Sequence, residues 1–389
     1  MLTAGKRKHP GRIVGVMGCM AQRLGQSLFE KIAGLDFAVG TRAARRIPRL
    51  VSIVAAGGGT PCLLDDGDPG QVPHEHLDGR LSAFVTVLLG CNRRCSYCIV
   101  PDVRGAEYSR PPSDIVAEVC ELCKGGVSEI TLLGQSVLNY GRDRDVWADA
   151  GSGPGGFKEP FPRLLEAVAA VPGVKRLRFT SSHPSGCTAD LARAMRELAP
   201  LCAHVHLPLQ SGSDRILRRM RRGYNAAVYL RAVERLRDAM PECAITSDII
   251  VGFPTESEED FEATRRVMRA ADFDNTFIFK YSPRPGTPSA SWTDDVPDEV
   301  KMRRNRDLLA EQDIIGLRRN LALVGQTTEV LVEGPSLRNR ARWSGRNRQN
   351  KIVVFEPSEH LKAGDLALVR VVRAKPQTLY GRIVGLQRE

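Results

Sequence analysis

The chain has 389 residues, 42% hydrophobic and 26% charged, which suits a soluble globular protein of two or three domains. No segment holds the roughly 18 consecutive apolar residues of a membrane helix. The basic opening stretch lacks the apolar run and cleavage site of a signal peptide, so the expected location is cytoplasmic. Lys and Arg number 56 against 45 Asp and Glu, a net charge of +11 that favours a polyanionic partner such as nucleic acid.

In chain order, Arg12–Met17 reads as a short strand, Gly18-Cys19 as a turn, Ala21–Ile32 as a helix and Phe37–Val39 as a strand. Together they make residues 1–56 the tail of an α/β unit. Residues 57–79 are rich in Gly, Pro and Asp and read as a linker. From residue 80 to about 322 strands and helices alternate. The expected strands are Ala83–Leu88, Glu129–Leu133, Arg176–Thr180, His204–Leu207, Thr246–Val251 and Asn275–Lys280. The expected helices are Ser113–Lys124, Pro162–Ala170, Thr188–Leu198, Ala226–Ala239 and Ser257–Ala271. Such repetition implies an α/β fold with a parallel sheet closing into a partial (β/α)6 barrel. Its chemistry belongs at the C-terminal strand ends. After the basic helical segment Asp298–Leu323, residues 323–389 carry five short strands without helices, as in a small all-β barrel. There are no internal repeats.

Ten cysteines in a chain this long point to metal or redox chemistry more than to disulfide staples. Cys62, Cys187, Cys202 and Cys243 are scattered and read as small apolar residues. Cys120 and Cys123, in a helical stretch beside Val119 and Leu122, read as a structural pair. Cys91, Cys95 and Cys98 differ: they form C-x3-C-x2-C directly after the first barrel strand. Three thiolates on one loop can hold three irons of a [4Fe–4S] cube and leave the fourth open. Structural zinc wants four ligands. Tyr97, just before the third cysteine, could pack on an adenine.

From Ser82 to about Pro288 the chain resembles the radical S-adenosylmethionine (SAM) superfamily on the strength of that loop. Further motifs narrow the resemblance. They are Gly18-Cys19-Met20-Ala21-Gln22, Ile99-Val100-Pro101, Val103-Arg104-Gly105, Ser109-Arg110-Pro111-Pro112 and Leu133-Gly134-Gln135-Ser136. They continue through Thr180-Ser181-Ser182-His183-Pro184, His206–Ser213, Asp248–Pro254 and Tyr281–Thr287. With these, nearly the whole chain is similar to the methylthiotransferases, most of all to the branch acting on isopentenyladenosine in tRNA.

The resemblance implies three parts: an N-terminal methylthiotransferase domain with a second [4Fe–4S] cluster, a radical-SAM barrel, and a C-terminal TRAM domain that grips RNA. It implies methylthiolation at C2 of N6-isopentenyladenosine next to the anticodon. One SAM gives a methyl group to sulfur, and a second, bound at Cys91, Cys95 and Cys98, gives a 5′-deoxyadenosyl radical. An electron donor such as flavodoxin or ferredoxin is implied, and the chain is expected to be a monomer.

Polar residues at successive strand ends suit SAM: Tyr97, Gly134, Gln135, Ser181, Ser182, His206, Gln210, Ser211 and Asp248. Each alone also fits a structural role. Gly134, Gly212 and Gly252 could let backbone approach a ligand. Arg338, Arg340, Arg342, Trp343, Arg346, Arg348 and Lys351 form an acid-free run suited to phosphate contacts and base stacking. Arg218, Arg219, Arg221 and Arg222 form a second basic group, a weaker RNA candidate or an exposed helix end.

The sequence departs from the family in its N-terminal domain. Of the three auxiliary-cluster cysteines only the last has a counterpart, Cys19. Either the protein starts upstream of Met1, or this is a degenerate form without that cluster. Three other readings stay open: a methylthiotransferase for another tRNA nucleoside or a ribosomal protein, a non-catalytic RNA-binding remnant, and a radical-SAM enzyme that cleaves SAM for another purpose.

Overall fold

The computed structural model describes residues 5–6, 8–9, 11–64, 80–148, 156–358 and 360–387. They fall into two compact units. The first takes the described residues up to 64 together with 89–93 and 99–110, and the second takes the other described residues.

In the first unit β1 (Gly15–Met17), β2 (Phe37–Val39) and β3 (Cys62–Leu63) make a parallel sheet in that order. Ala21, Leu28, Leu35 and Ala38 form one small core, and Phe37, Val39, Ala43 and Leu50 another. Neighbouring β2 residues belong to different cores, as strand alternation requires. The helix expected over 21–32 is two helices, α1 (Cys19–Leu24) and α2 (Ser27–Lys31). Gly25 separates them at a φ of 53°, which only glycine adopts freely. The expected linker also needs correction. Cys62 and Leu63 pair with Ala38 and Val39, so residues 62–63 belong to the sheet, while 65–79 lie outside the described residues. Helix α3 (Ile47–Ala55) was not foreseen; its buried Leu50 packs in the second core. The helix α4 (Val100–Arg104) and the short strand β5 (Tyr108–Ser109) also lie in this unit. Arg42 and Thr41 donate to the carbonyls of Arg104 (2.7 Å) and Val103 (3.0 Å).

The second unit is built on six parallel strands. β4 (Ser82–Leu89), β6 (Glu129–Gly134) and β7 (Arg176–Phe179) form one sheet, and β8 (His204–His206), β9 (Ala244–Val251) and β10 (Asn275–Lys280) another. A parallel bridge between Leu177 and Leu201 joins them. Around them lie α5 (Pro112–Lys124), α6 (Pro160–Ala169), α7 (Ala189–Glu197), α8 (Asp214–Arg219), α9 (Ala226–Ala239) and α10 (Glu258–Ala271). Thr188, Ser213, Asn225 and Ser257 cap α7 to α10 through side-chain oxygens, and Ser257 forms a reciprocal box with Asp260. On β9, Ile245, Ser247, Ile249 and Val251 are buried while Thr246, Asp248 and Ile250 on the other face are partly open. This is the alternation of a strand with helices on one face and a lumen on the other. The result is a partial (β/α)6 barrel.

Helix α11 (Asp298–Leu321) leads to β11 (Thr327–Pro335), β12 (Trp343–Asn347), β13 (Ile352–Phe355), β14 (Leu366–Lys375) and β15 (Thr378–Leu386). They close in the order β11-β12-β13-β15-β14 around Val330, Val332, Val353, Phe355, Val369 and Leu379. This small barrel sits against the N-terminal end of β7. Arg176 donates to Glu329 (2.8 Å) and to the carbonyl of Arg346 (2.6 Å). Arg178 donates to Glu129 (2.9 Å) and to the carbonyls of Asn347 and Arg348. Chemistry at the C-terminal strand ends is left clear.

Candidate functional site

Cys91 follows β4 and is buried, its N–H donating to the carbonyl of Gly105 (3.1 Å). Gly90 before it has a φ of 72°, and a Cβ there would lie 2.0 Å from the Ala106 carbonyl oxygen, so only glycine turns the chain here. Cys95 is buried and Cys98 half-buried, with the Cys98 N–H on the Cys95 carbonyl (3.1 Å). Between them, fully buried Ser96 donates from its hydroxyl to the Arg219 carbonyl (2.8 Å), and its carbonyl accepts from Ser289. This turn is thus fixed on both sides.

A buried arginine lies on the loop. Arg222 donates to Cys95 Sγ (3.3 Å) and Tyr97 Oη (3.4 Å) from Nη1, and to Tyr224 Oη (3.1 Å) from Nε. Burial works against its charge, yet Tyr224, Tyr97 and Cys95 together hold its pKa well above the ordinary arginine value. A permanent cation against a cysteine sulfur is what a thiolate-ligated cluster fits. Among the described residues no three His, Cys, Asp or Glu side chains stand gathered as a metal's donors. The cluster assignment therefore rests on the donor set and on this cation, not on a preformed cage.

Cys98 and Tyr97 open onto a cavity of about 400 Å³ that Gln210, Asp248 and Phe279 also line. A second cavity of about 640 Å³, lined by His204, His206, Thr246, Phe277 and Lys351, shares Asp248 with the first. Thr246 Oγ1 lies 3.1 Å from His204 Nε2 and 3.0 Å from His206 Nδ1, and His206 Nε2 lies 3.3 Å from Asp248 Oδ2. Burial, with Arg178 and His206 nearby, pushes the His204 pKa down to about 3, so this imidazole is neutral. Phe277 and Phe279 are about half exposed on the face of β10 that lines the cavities.

The expected SAM-facing residues divide. Gln135 Oε1 and Ser182 Oγ are buried and make no hydrogen bond among the described residues, as atoms awaiting a ligand do. Ser181 and Gln210 take left-handed backbone (φ 65° and 69°) after β7 and β8, a strain that collects at functional positions. Gln210 exchanges backbone hydrogen bonds with Asp248 and Ile250, a parallel bridge that sets it alongside Ile249 of β9, and it lines the smaller cavity. Ser211 turns the other way: its hydroxyl is wholly buried, accepts from the Ser213 N–H and faces Thr264. The glycines also approach protein, not ligand. A Cβ on Gly212 would lie 2.5 Å from Thr264 Cα, one on Gly134 3.0 Å from Leu88 Cβ, and one on Gly252 2.2 Å from the Lys301 side chain.

The basic run divides too. Arg338 and Arg340 are exposed. Arg342 lines a groove of about 660 Å³ with Arg373, stacked 4.1 Å from Tyr380, and Arg382. Arg348 and Lys351 turn to the protein instead, Arg348 on the Ala199 and Leu201 carbonyls and Lys351 on Asp274 and Asn320, while Arg346 stays partly exposed with its guanidinium on the Asn350 carbonyl. Trp343 packs against the small barrel's core. In the second basic group, Arg222 is a buried neighbour of Cys95, not an exposed helix end. Sequence reasoning missed this; its only signal is Tyr224 two residues on. Cys187, Cys202 and Cys243 are buried, and Cys120 and Cys123 pack against the main core, as expected. Cys19 begins α1 with its thiol exposed.

Residues 85–268 match the radical SAM superfamily, and residues 321–384 the TRAM domain. A tRNA-2-methylthio-N(6)-dimethylallyladenosine synthase from Akkermansia muciniphila is 44% identical over 98% of this chain and 85% of its own length. The enzyme of that name from Methylacidiphilum infernorum is 40% identical over 98% and 81%. In fold, the chain is similar to the radical SAM methyltransferase TsrM from Kitasatospora setae, with a TM-score of 0.53 at 15% identity over 72% of this chain and 58% of that one. Strand order, cysteine loop and the two relatives agree: the chain belongs to the tRNA-2-methylthio-N(6)-dimethylallyladenosine synthase family of radical SAM enzymes.

Proposed function

We propose that this protein methylthiolates C2 of N6-isopentenyladenosine beside the anticodon of tRNA. The observation that supports the site is Cys98 at the mouth of a cavity that Gln210 and Asp248 also line; Gln135 and Ser182, just after the neighbouring strands β6 and β7, carry buried oxygens without a hydrogen bond among the described residues. A [4Fe–4S] cluster on Cys91, Cys95 and Cys98, with SAM at its open iron, supplies radical chemistry when bound.

The chain's own residues bind, orient and shield. Gln135 and Ser182 offer acceptors to the amino and hydroxyl groups of SAM. Tyr97, edge-on to Phe253 at 6.3 Å, gives the adenine an apolar wall. Phe277 and Phe279 present apolar faces to the substrate's dimethylallyl arm and keep water from the reacting carbon. Asp248, held by His206, hydrogen-bonds the substrate where the two cavities meet. Arg338, Arg340 and Arg342 meet RNA phosphates. The domains divide between β3 and β4 and at residues 322–323, a flavodoxin or ferredoxin supplies the electron, and the protein works as a cytoplasmic monomer.

The test is anaerobic reconstitution, then SAM, dithionite and isopentenylated tRNA, with the nucleosides read by mass spectrometry. The expected product is the 2-methylthio nucleoside, absent from Cys95→Ser protein. SAM cleavage retained in Cys95→Ser would sink the cluster assignment. Modification only of another nucleoside or of a ribosomal protein would sink the substrate. Iron counting separates one cluster, about four irons per chain, from the two the family uses, about eight.

A further inference from the structure

We propose that Arg222 is a positioning residue for the cluster loop: its guanidinium, held against the Cys95 sulfur, raises the reduction potential of the cluster bound there. The inference rests on the assignment of that cluster to Cys91, Cys95 and Cys98.

Arg222 is 7% exposed, and among the described residues its guanidinium meets sulfur and two phenols but no carboxylate. A buried charge with no counter-ion is costly. The anionic charge that offsets it here comes from the thiolate ligands. The side chain is also fixed in place. Tyr224, which accepts from Nε, donates to the Leu209 carbonyl (2.8 Å), and the Arg222 carbonyl lies 3.1 Å from His183 Nε2. His183 packs edge-on to Tyr224 at 5.1 Å. The guanidinium is thus locked between the loop and the segment that ends in Gln210.

Reduction moves one electron from a low-potential donor, dithionite in the test, to the cluster, with no bond made or broken. The donor is oxidised by one electron and the cluster gains one negative charge. A fixed cation 3.3 Å from a ligand sulfur stabilises the more negative state, and hydrogen bonds to sulfur shift potential in the same direction. Exposed arginines would be screened by water; this one is not.

The measurement is an EPR-monitored redox titration of reconstituted protein without SAM, comparing wild type, Arg222→Gln and Arg222→Lys at equal iron content. Arg222→Gln is expected to lower the reduced-to-oxidised ratio at fixed potential about tenfold, equivalent to about 59 mV for one electron. Arg222→Lys, which keeps the charge, is expected to recover most of it. Equal potentials in wild type and Arg222→Gln overturn the proposal. Should Arg222→Gln fail to fold, pulsed EPR on wild-type protein grown with heavy-nitrogen arginine decides: an arginine nitrogen coupled to the reduced cluster supports the proposal, and no coupling overturns it. Wild-type protein that takes up no iron at all would instead defeat the cluster assignment.

Discussion

Arg348 donates from Nη2 to the carbonyl of Leu201 at 2.8 Å, spending on the protein's own backbone a cation the sequence offers to RNA. The same holds for Lys351, 2.6 Å from Asp274. The acid-free run thus divides into cations bound to the protein itself and the exposed Arg338 and Arg340, and substitution separates them.

Replacing Arg338 and Arg340 together by Ala is expected to weaken tRNA binding and lower its salt slope by about one for each phosphate no longer neutralised, with unchanged thermal stability. Replacing Arg348 and Lys351 is expected to lower the melting temperature as well. Filter binding across a salt series, with calorimetry on the same proteins, checks both. A loss of stability in the first pair, or none in the second, contradicts this division.

Arg178 is 5% exposed and ties Glu129 to two carbonyls of the small barrel. Among the described residues, Arg178→Ala leaves Glu129 with Arg176 alone as an ion-pair partner, at 3.8 Å. A loss of about 3 kcal/mol is expected, since one partner of a buried pair is gone. Urea unfolding measures it, and a cost below about 0.5 kcal/mol would show the pair to be dispensable.

Long periodic segments were legible: the helix over Ala226–Ala239 and the strand over Asn275–Lys280 stand at the residues expected. Apolar spacing and caps decide such elements locally. The helix expected over 21–32 failed because Gly25 breaks a pattern whose apolar spacing continues across it. At the site, the spacing of Cys91, Cys95 and Cys98 marked a loop directly after the first barrel strand, and the loop does follow β4. Arg222 was not, because its burial depends on Tyr224 and a loop more than a hundred residues away. Trp343 packs partly buried against the small barrel's core, a placement that its position among arginines did not reveal.

Gly212 was recognised as special for the wrong reason. Its missing Cβ admits the backbone of α10, with Ala263 O at 2.6 Å and Thr264 Cα at 2.5 Å from where a methyl would stand. Both neighbours are backbone and cannot swing aside. Gly212→Ala is therefore expected to destabilise by about 1–3 kcal/mol through overpacking. A denaturant midpoint equal to wild type would mean that α10 moves freely.

Asp260 gives a pH prediction whose sign is fixed. The Asp260 carboxylate accepts from Ser213 Oγ (2.5 Å), the Ser257 N–H (2.9 Å) and Arg215. Burial alone would raise its pKa, but the Arg215, Ser213 and Ser257 hydrogen bonds outweigh it and hold the group well below the ordinary aspartate value of 3.8. The unfolded chain therefore binds this proton more readily than the folded one. The stabilisation is complete above pH 3.8 and is lost as pH falls from there towards the depressed folded value. Asp260→Asn removes the group that titrates. Its unfolding free energy is expected to fall less steeply than wild type between about pH 4 and pH 2, while lying below wild type at neutral pH. Urea titrations across that range measure both slopes. Parallel acid limbs would mean that Asp260 keeps an ordinary pKa and that its three donors do no more than shape the start of α10.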